Sequence, residues 1–373
     1  MFEWLSRKGE AIAPARHSLA FLYETGAGEV PRAYDARVRA ALNRNPVAFR
    51  AVRLVAEAVG SAPLTIEGGA PVEEIIRRPN PRASCGAFLE LLAAHLVLHG
   101  NAYVDAAAGG DGRAAEMHVL APDRMRVETD AAGWPARYLY RTGAREAALP
   151  IASDEAAGVL HIRALSPGDE LYGLGALEAA SGAIAAHNEA AAWNRALLSN
   201  AARPSGALMF DAGGDGGTLS GEQFDRLRRE MDEGFSGAAR AGRPLLLEGG
   251  LKWQPLSLTP ADMDFAEGQA AAARDIALAL GVPPMLLGLP GDNTYANYAE
   301  ANRALWRLTV LPLAGRILEA LSGWLRFWWP EAEVAVDLNR VPALASDRSE
   351  MWKRVAAADF LTADEKKRVL GLS

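Results

Sequence analysis

Two alanine-rich stretches, Gly173 to about Asn200 and Thr259 to Gly281, read as long helices that bracket a small α/β module. This restricts the fold more than any other feature of the chain. Two long helices on either side of a compact insert make a hairpin that carries the insert at its tip. At 1.5 Å per residue the first helix would be roughly 40 Å long. The second opens at Thr259-Pro260-Ala261-Asp262, with Thr as cap and Pro at the first position. Gly281-Val282-Pro283-Pro284 prevents its continuation. The insert, residues 205–258, reads as a strand (Gly206 to Phe210), a Gly/Asp loop, a helix and two strands (Pro244 to Glu248, Lys252 to Leu256). Its helix starts at Ser220, with Gln223 placed for a capping box.

The flanking regions pattern differently. Residues 1–44 are weakly patterned. Asn45-Pro46 then opens a helix ended by Gly60, and a short strand, Leu64 to Ile66, follows. Ser84 opens a second helix, which Gly100 ends. Alternation at Asn101–Asp105, Glu116–Leu120, Met125–Glu128, Arg137–Tyr140 and Val159–Ile162 predicts a small antiparallel sheet. The longest helix is predicted over Thr294–Trp329. Apolar residues from Trp306 to Trp328 recur there at spacings of three and four, and Pro312 predicts a kink near 308–312. A strand from Glu333 to Leu338 and a short helical segment from Ser346 close the chain. The class is α+β.

Composition excludes several functions. The 373 residues, half of them hydrophobic, can bury a sizeable core. A net charge of −7 argues against a free nucleic-acid binder, whose affinity comes from neutralised phosphates. Cys85 is the only cysteine, so no intrachain disulfide can form; this fits a reducing compartment. The first residues, Met1 to Lys8, lack the order of a signal peptide. No unbroken apolar run reaches the roughly 18 residues of a membrane span. The longest candidate, Ile276 to Leu289, is broken by Gly281, Pro283 and Pro284, so no membrane partner is expected.

Catalytic signatures are missing or weak. No G-x-x-x-x-G-K-[ST] run is present. Tyr172-Gly173-Leu174-Gly175 lacks the third glycine of a dinucleotide loop and reads as tight packing at a helix start. His95 and His99, four apart on one helix, lack a third ligand and read as a packed pair, and His161 reads as structural. No enzymatic activity, metal or cofactor is expected. Asp262, Asp264, Glu267 and Asp275 line a helix otherwise made of small residues; a solvated face accounts for them as well as any site does. Arg226, Arg228 and Arg229 on the insert helix face either a partner or water.

A set of short stretches, in order over residues 45–345, carries a resemblance. These are Asn45-Pro46; Arg78-Pro79-Asn80-Pro81; His99-Gly100-Asn101-Ala102-Tyr103-Val104; Leu160-His161-Ile162-Arg163; and Leu171-Tyr172-Gly173. Arg203-Pro204-Ser205-Gly206, Gly242 to Gly250 and Gly281-Val282-Pro283-Pro284 follow. Together they resemble the HK97-type phage portal family. The short length and the composition are also similar to the portal of a gene transfer agent, a domesticated phage particle.

The resemblance implies a portal fold with an α/β wing, a two-helix stem, a small α/β clip, a long kinked helix and a short helical crown. On this chain the wing is residues 1–172 with 282–345, and the stem is 173–204 with 259–281. The clip is 205–258, and a rudimentary crown is 346–373. A tunnel loop, 288–297, would precede the long helix 294–329 and touch DNA through Asp292, Asn293, Thr294, Tyr295 and Asn297. Asp262, Asp264, Glu267 and Asp275 would form an acidic channel wall from which DNA is repelled. Arg226, Arg228 and Arg229 would be the clip's partner surface. The family implies a homo-oligomeric ring, usually dodecameric, at one capsid vertex of a virion or phage-like particle assembled in the bacterial cytoplasm. Its partners would be the major capsid protein, the large terminase, a head–tail adaptor and the double-stranded DNA in transit.

Overall fold

The computed structural model describes residues 34–153, 157–199, 206–210, 221–223, 225–226, 229, 251–255, 265–289 and 295–371. The chain divides into two units, residues 31–184 with 273–373 and residues 1–30 with 185–272.

The larger unit opens with α1 (Tyr34–Val38) and a π-helical turn over Arg39–Asn43. The Asn45 side chain then caps α2 (Pro46–Gly60) by accepting the Ala48 N–H at 2.9 Å. Ala48, Ala51, Val52, Val55, Ala56 and Val59 are buried along one face of α2. β1 (Leu64–Glu67) and α3 (Ala70–Arg77) follow, and Ser84 caps α4 (Cys85–His99).

The single antiparallel sheet expected from the sequence is two. β2 (Asn101–Ala108) pairs with β3 (Ala114–Leu120). A short 3₁₀ turn over Pro122–Arg124 then redirects the chain into a separate sheet of β4 (Met125–Thr129), β5 (Pro135–Thr142) and β6 (Arg145–Leu149). β7 (Leu160–Arg163) returns to β2, giving the order β3–β2–β7.

α5 (Ala176–Ser199) begins in the larger unit and continues into the smaller one. There β8 (Gly206–Phe210) pairs antiparallel with β9 (Leu251–Pro255), Gly206 opposite Pro255. Both strands match sequence expectations to within a residue. The expected strand Pro244–Glu248 and the helix start at Thr259 lie outside the described residues. α6 (Phe265–Ala279) carries the chain back to the larger unit.

The long helix that follows is built in three parts: α7 (Tyr295–Leu305), a π-helical turn (Trp306–Val310) and α8 (Leu311–Leu325). Pro312 is the second residue of α8. A proline ring in a regular helix would clash with the carbonyl four residues back, that of Leu308. A widened turn at that place relieves the clash. Where the sequence predicts a kink, at 308–312, the backbone forms a π-helical turn over Trp306–Val310.

Asn297–Leu325 also corrects the expectation that no stretch could span a membrane. Among the described residues it is the one helix long and apolar enough to cross a membrane, by length and composition only. The sequence criterion had counted only unbroken apolar runs. Its apolar side is core: Trp306, Val310, Ala314, Ile317, Leu318, Leu321 and Leu325 are buried in the same cluster as α2 and α4.

β10 (Glu333–Val336) closes the larger unit by pairing antiparallel with β1, Leu64 opposite Val336 and Glu67 opposite Glu333. Ser322, buried inside α8, ties helix to strand: its hydroxyl donates to the Leu318 carbonyl at 2.7 Å and accepts the Val334 N–H at 2.9 Å. In place of one short terminal segment there are two helices, α9 (Ala345–Ala356) and α10 (Ala363–Val369). α10 opens with a capping box of Thr362 and Glu365.

Candidate functional site

Within the larger unit, the backbone is packed tightly where the end of α4 meets the segment leading into α5. α4 ends at Gly100 in the left-handed conformation, φ 82°. Asn101, 1% exposed, immediately follows. Its Oδ1 accepts the Gly173 N–H at 2.8 Å and a hydrogen from His161 Nε2 at 2.9 Å. Its Nδ2 donates toward the carbonyls of Gly173 at 3.0 Å and His99 at 3.2 Å, and toward His99 Nδ1 at 3.1 Å. Backbone partners on both sides fix the amide's orientation. Because Asn101 Oδ1 must accept, His161 carries its hydrogen on Nε2; because Nδ2 must donate, His99 Nδ1 carries none.

Burial favours the neutral form of both imidazoles. Burial pushes His161 down to about 3, helped by the nearby charge of Arg163. Burial also lowers His99. His95, one turn earlier on α4, is pushed down to about 4 by burial and by His99. His161 stacks on the fully buried Tyr103 ring, centroids 4.2 Å apart. These histidines are structural, as the sequence suggested. Among the described residues, no group of three or more His, Cys, Asp or Glu side chains is placed to hold a metal ion.

The glycines beside Asn101 show why this turn tolerates no larger residue. A Cβ on Gly173 would lie 2.1 Å from the Gly100 carbonyl oxygen and 2.5 Å from the Ala164 nitrogen. The Tyr172-Gly173-Leu174-Gly175 segment is thus the tight packing that its sequence implied.

A second seat holds the far end of the pair. Gly281, φ 66°, ends the α6 segment, and its carbonyl accepts the Thr309 hydroxyl at 2.6 Å from within the π turn. Leu174, Gly175 and Ala176 at the root of α5, and Ala279, Leu280 and Gly281 at the end of α6, border one groove of about 420 Å³. Both helix ends thus border a single groove within the larger unit.

A third tie runs from the long helix to the C-terminal helices. Asp347, in the first turn of α9, pairs with Arg307 at 2.8 Å and Arg303 at 3.4 Å. Arg303 also pairs with Glu300 at 2.9 Å and donates to the Ser346 hydroxyl at 3.0 Å.

The site residues expected from the sequence fall variously. Tyr295 is the first residue of α7, and Asn297 is exposed on the same helix. Glu267 and Asp275 are exposed on α6, and Arg226 and Arg229 are exposed on the insert helix. Asp262, Asp264, Asp292, Asn293, Thr294 and Arg228 lie outside the described residues. Sequence reasoning missed Asn101 as a hub and the Arg303–Arg307–Asp347 tie. The motif His99-Gly100-Asn101 was a signal for the first; only the spacing of Arg303 and Arg307 on one helix hinted at the second.

This arrangement, two helices rooted in an α/β body with a strand-containing insert between them, has close structural counterparts. A chain from the neck of a native gene transfer agent particle, computed with C12 symmetry, superposes with a TM-score of 0.72 at 46% identity, covering 95% of this chain and 98% of that one. An HK97-family phage portal protein from Corynebacterium diphtheriae superposes with a TM-score of 0.57, covering 81% of this chain and 96% of that one. At 19% identity it speaks for the fold alone. A protein of Rickettsia bellii is 38% identical over 343 residues, 89% of this chain and 88% of its own length. The family model for phage portal protein matches residues 46–371. The chain belongs to the phage portal protein family. The portal fold accounts for its α+β class.

Proposed function

We propose that this portal chain forms a closed ring, most simply of twelve copies, at the head–tail junction of a phage-like particle. The observation that carries the reading is the 46% identity over 95% of the chain to a particle-neck protein computed with C12 symmetry. In this reading the ring gives double-stranded DNA its way in during packaging and its way out on delivery. The chain has no P-loop, which leaves ATP hydrolysis to a separate motor, the large terminase. The insert at 205–258 acts as the clip: it docks the motor first and the head–tail adaptor later, with Arg226, Arg228 and Arg229 as its basic partner surface. The body at 1–172 and 282–345 seats in the major capsid protein as the wing, and 346–373 is the crown.

Within the channel, Asp262, Asp264, Glu267 and Asp275 present like charge to phosphates, so that DNA slides without sticking. The loop at 288–297, with Asp292, Asn293, Thr294, Tyr295 and Asn297, forms the narrowest contact. Replacing residues 288–297 by a Gly/Ser linker tests this. Rings and capsids should still form while nuclease-protected DNA per particle falls. Normal filling would remove the loop from the mechanism.

A further inference from the structure

Among the described residues, large exposed apolar side chains gather around the groove between the roots of α5 and α6. Leu165 is 76% exposed, Leu174 48% and Leu308 78%, and all three line this groove of about 420 Å³. Leu278, 79% exposed, lies on α6 one residue before Ala279, which lines it too. Single exposed leucines are ordinary on a protein surface, but several around one concavity mark a contact. Arg316 also borders the groove, exposed and without an ion pair among the described residues.

We infer that this groove is the receiving half of the contact between neighbouring copies of the chain. It takes an apolar segment of the next subunit, with a carboxylate to meet Arg316. The inference rests on the ring reading above. A cyclic ring is built from head-to-tail contacts, so every copy must carry a receiving surface distinct from the one it presents. Symmetry favours a second copy as the occupant, since the particle-neck relative at 46% identity was computed with C12 symmetry. With 46 acidic against 39 basic residues, like copies repel overall, and their contact needs apolar area and a locally placed cation. The groove has both, and an acidic chain supplies the complementary carboxylate. The place fits as well: the groove sits where two long helices are rooted, so a neighbour seated in it would fix the tilt of the hairpin around the ring.

The test uses the full-length chain with Leu308→Asp and, separately, Leu165→Asp. Both side chains are mostly exposed, so the melting temperature of the unassembled subunit should not move. The concentration for half-assembly should rise at least about tenfold, equivalent to roughly 1.4 kcal/mol per contact. In a Cys85→Ser background, Leu308→Cys should react with a maleimide in the free subunit and be protected in the ring. Unchanged assembly together with full labelling at position 308 in rings would overturn the inference and leave the groove to a different partner. Labelling is read in assembled particles as well as in isolated rings. A wild-type chain that forms no ring by itself then bears on the ring reading alone, while protection or reactivity at 308 in particles still decides the groove.

Discussion

Asn101 and Gly173, 72 positions apart, are joined by a reciprocal pair of hydrogen bonds, Gly173 N–H to Asn101 Oδ1 at 2.8 Å and Asn101 Nδ2 to the Gly173 carbonyl at 3.0 Å. A side-chain amide here stands in for a strand neighbour and satisfies the backbone just before α5. The pair ties the helix root to the end of α4 and, through His161, to β7.

Asn101→Ala should therefore destabilise the larger unit by about 3 kcal/mol, since the Gly173 N–H and the His161 Nε2–H both lose a buried acceptor. Urea denaturation followed by tryptophan fluorescence would show it. A loss below about 1 kcal/mol would mean that water replaces the amide.

Two glycine-to-alanine changes should act in opposite directions. Gly173→Ala drives a methyl group into the Gly100 carbonyl, a clash relieved only by moving backbone, so the chain should lose several kcal/mol or fail to fold. Gly182→Ala, on α5 with nothing within 4 Å of the added carbon, should raise stability by roughly 0.5–1 kcal/mol. Thermal melts of the two variants check both signs.

Acid should loosen the same region. His95 and His161 have folded values near 4 and 3, below the ordinary 6.5. The unfolded chain thus binds protons that the folded chain refuses, and stability falls as pH drops below about 6.5, down to the folded values. Between pH 6.5 and 5 each contributes a loss on the order of 1–2 kcal/mol. Urea midpoints across this range should decline, and His161→Gln, which keeps a donor for Asn101, should flatten the decline. A midpoint independent of pH from 7 to 5 would contradict the neutral-histidine assignment.

The C-terminal helices should be released by Asp347→Ala. Arg303 and Arg307 lose their shared carboxylate, and α9 has only Val355 buried to hold it in place. Limited proteolysis should cut faster within 345–371, while the global unfolding free energy changes by about 1 kcal/mol or less. Equal cleavage rates in the two proteins would show that other contacts anchor the segment.

How much of this was legible in the sequence follows from the range of each interaction. Asn45, Ser84 and Gly100 act on their own helices within three or four residues, and their caps stand where the sequence put them. α3 was missed because it is only eight residues long and carries Pro71. β6, Arg145–Leu149, was missed because it is almost wholly exposed and shows no alternation. Pro312 announced a disturbance, but whether helices respond by bending or by widening a turn depends on the side chains packed against them. The Asn101 hub joins residues 60 and 72 positions away, and no local pattern encodes such a meeting. Of the residues proposed to face a channel, Glu267, Asp275 and Asn297 are exposed on their helices.

The central claim, that this family member closes into a ring, is tested most directly by the mass of the purified full-length chain. Native mass spectrometry paired with imaging gives both the copy number and the hole. The account predicts closed rings of about twelve copies with a central opening wide enough for a DNA duplex, in keeping with head-to-tail cyclic assembly. A chain that remains a monomer or dimer at high concentration, and is absent as a ring from assembled particles, would contradict it.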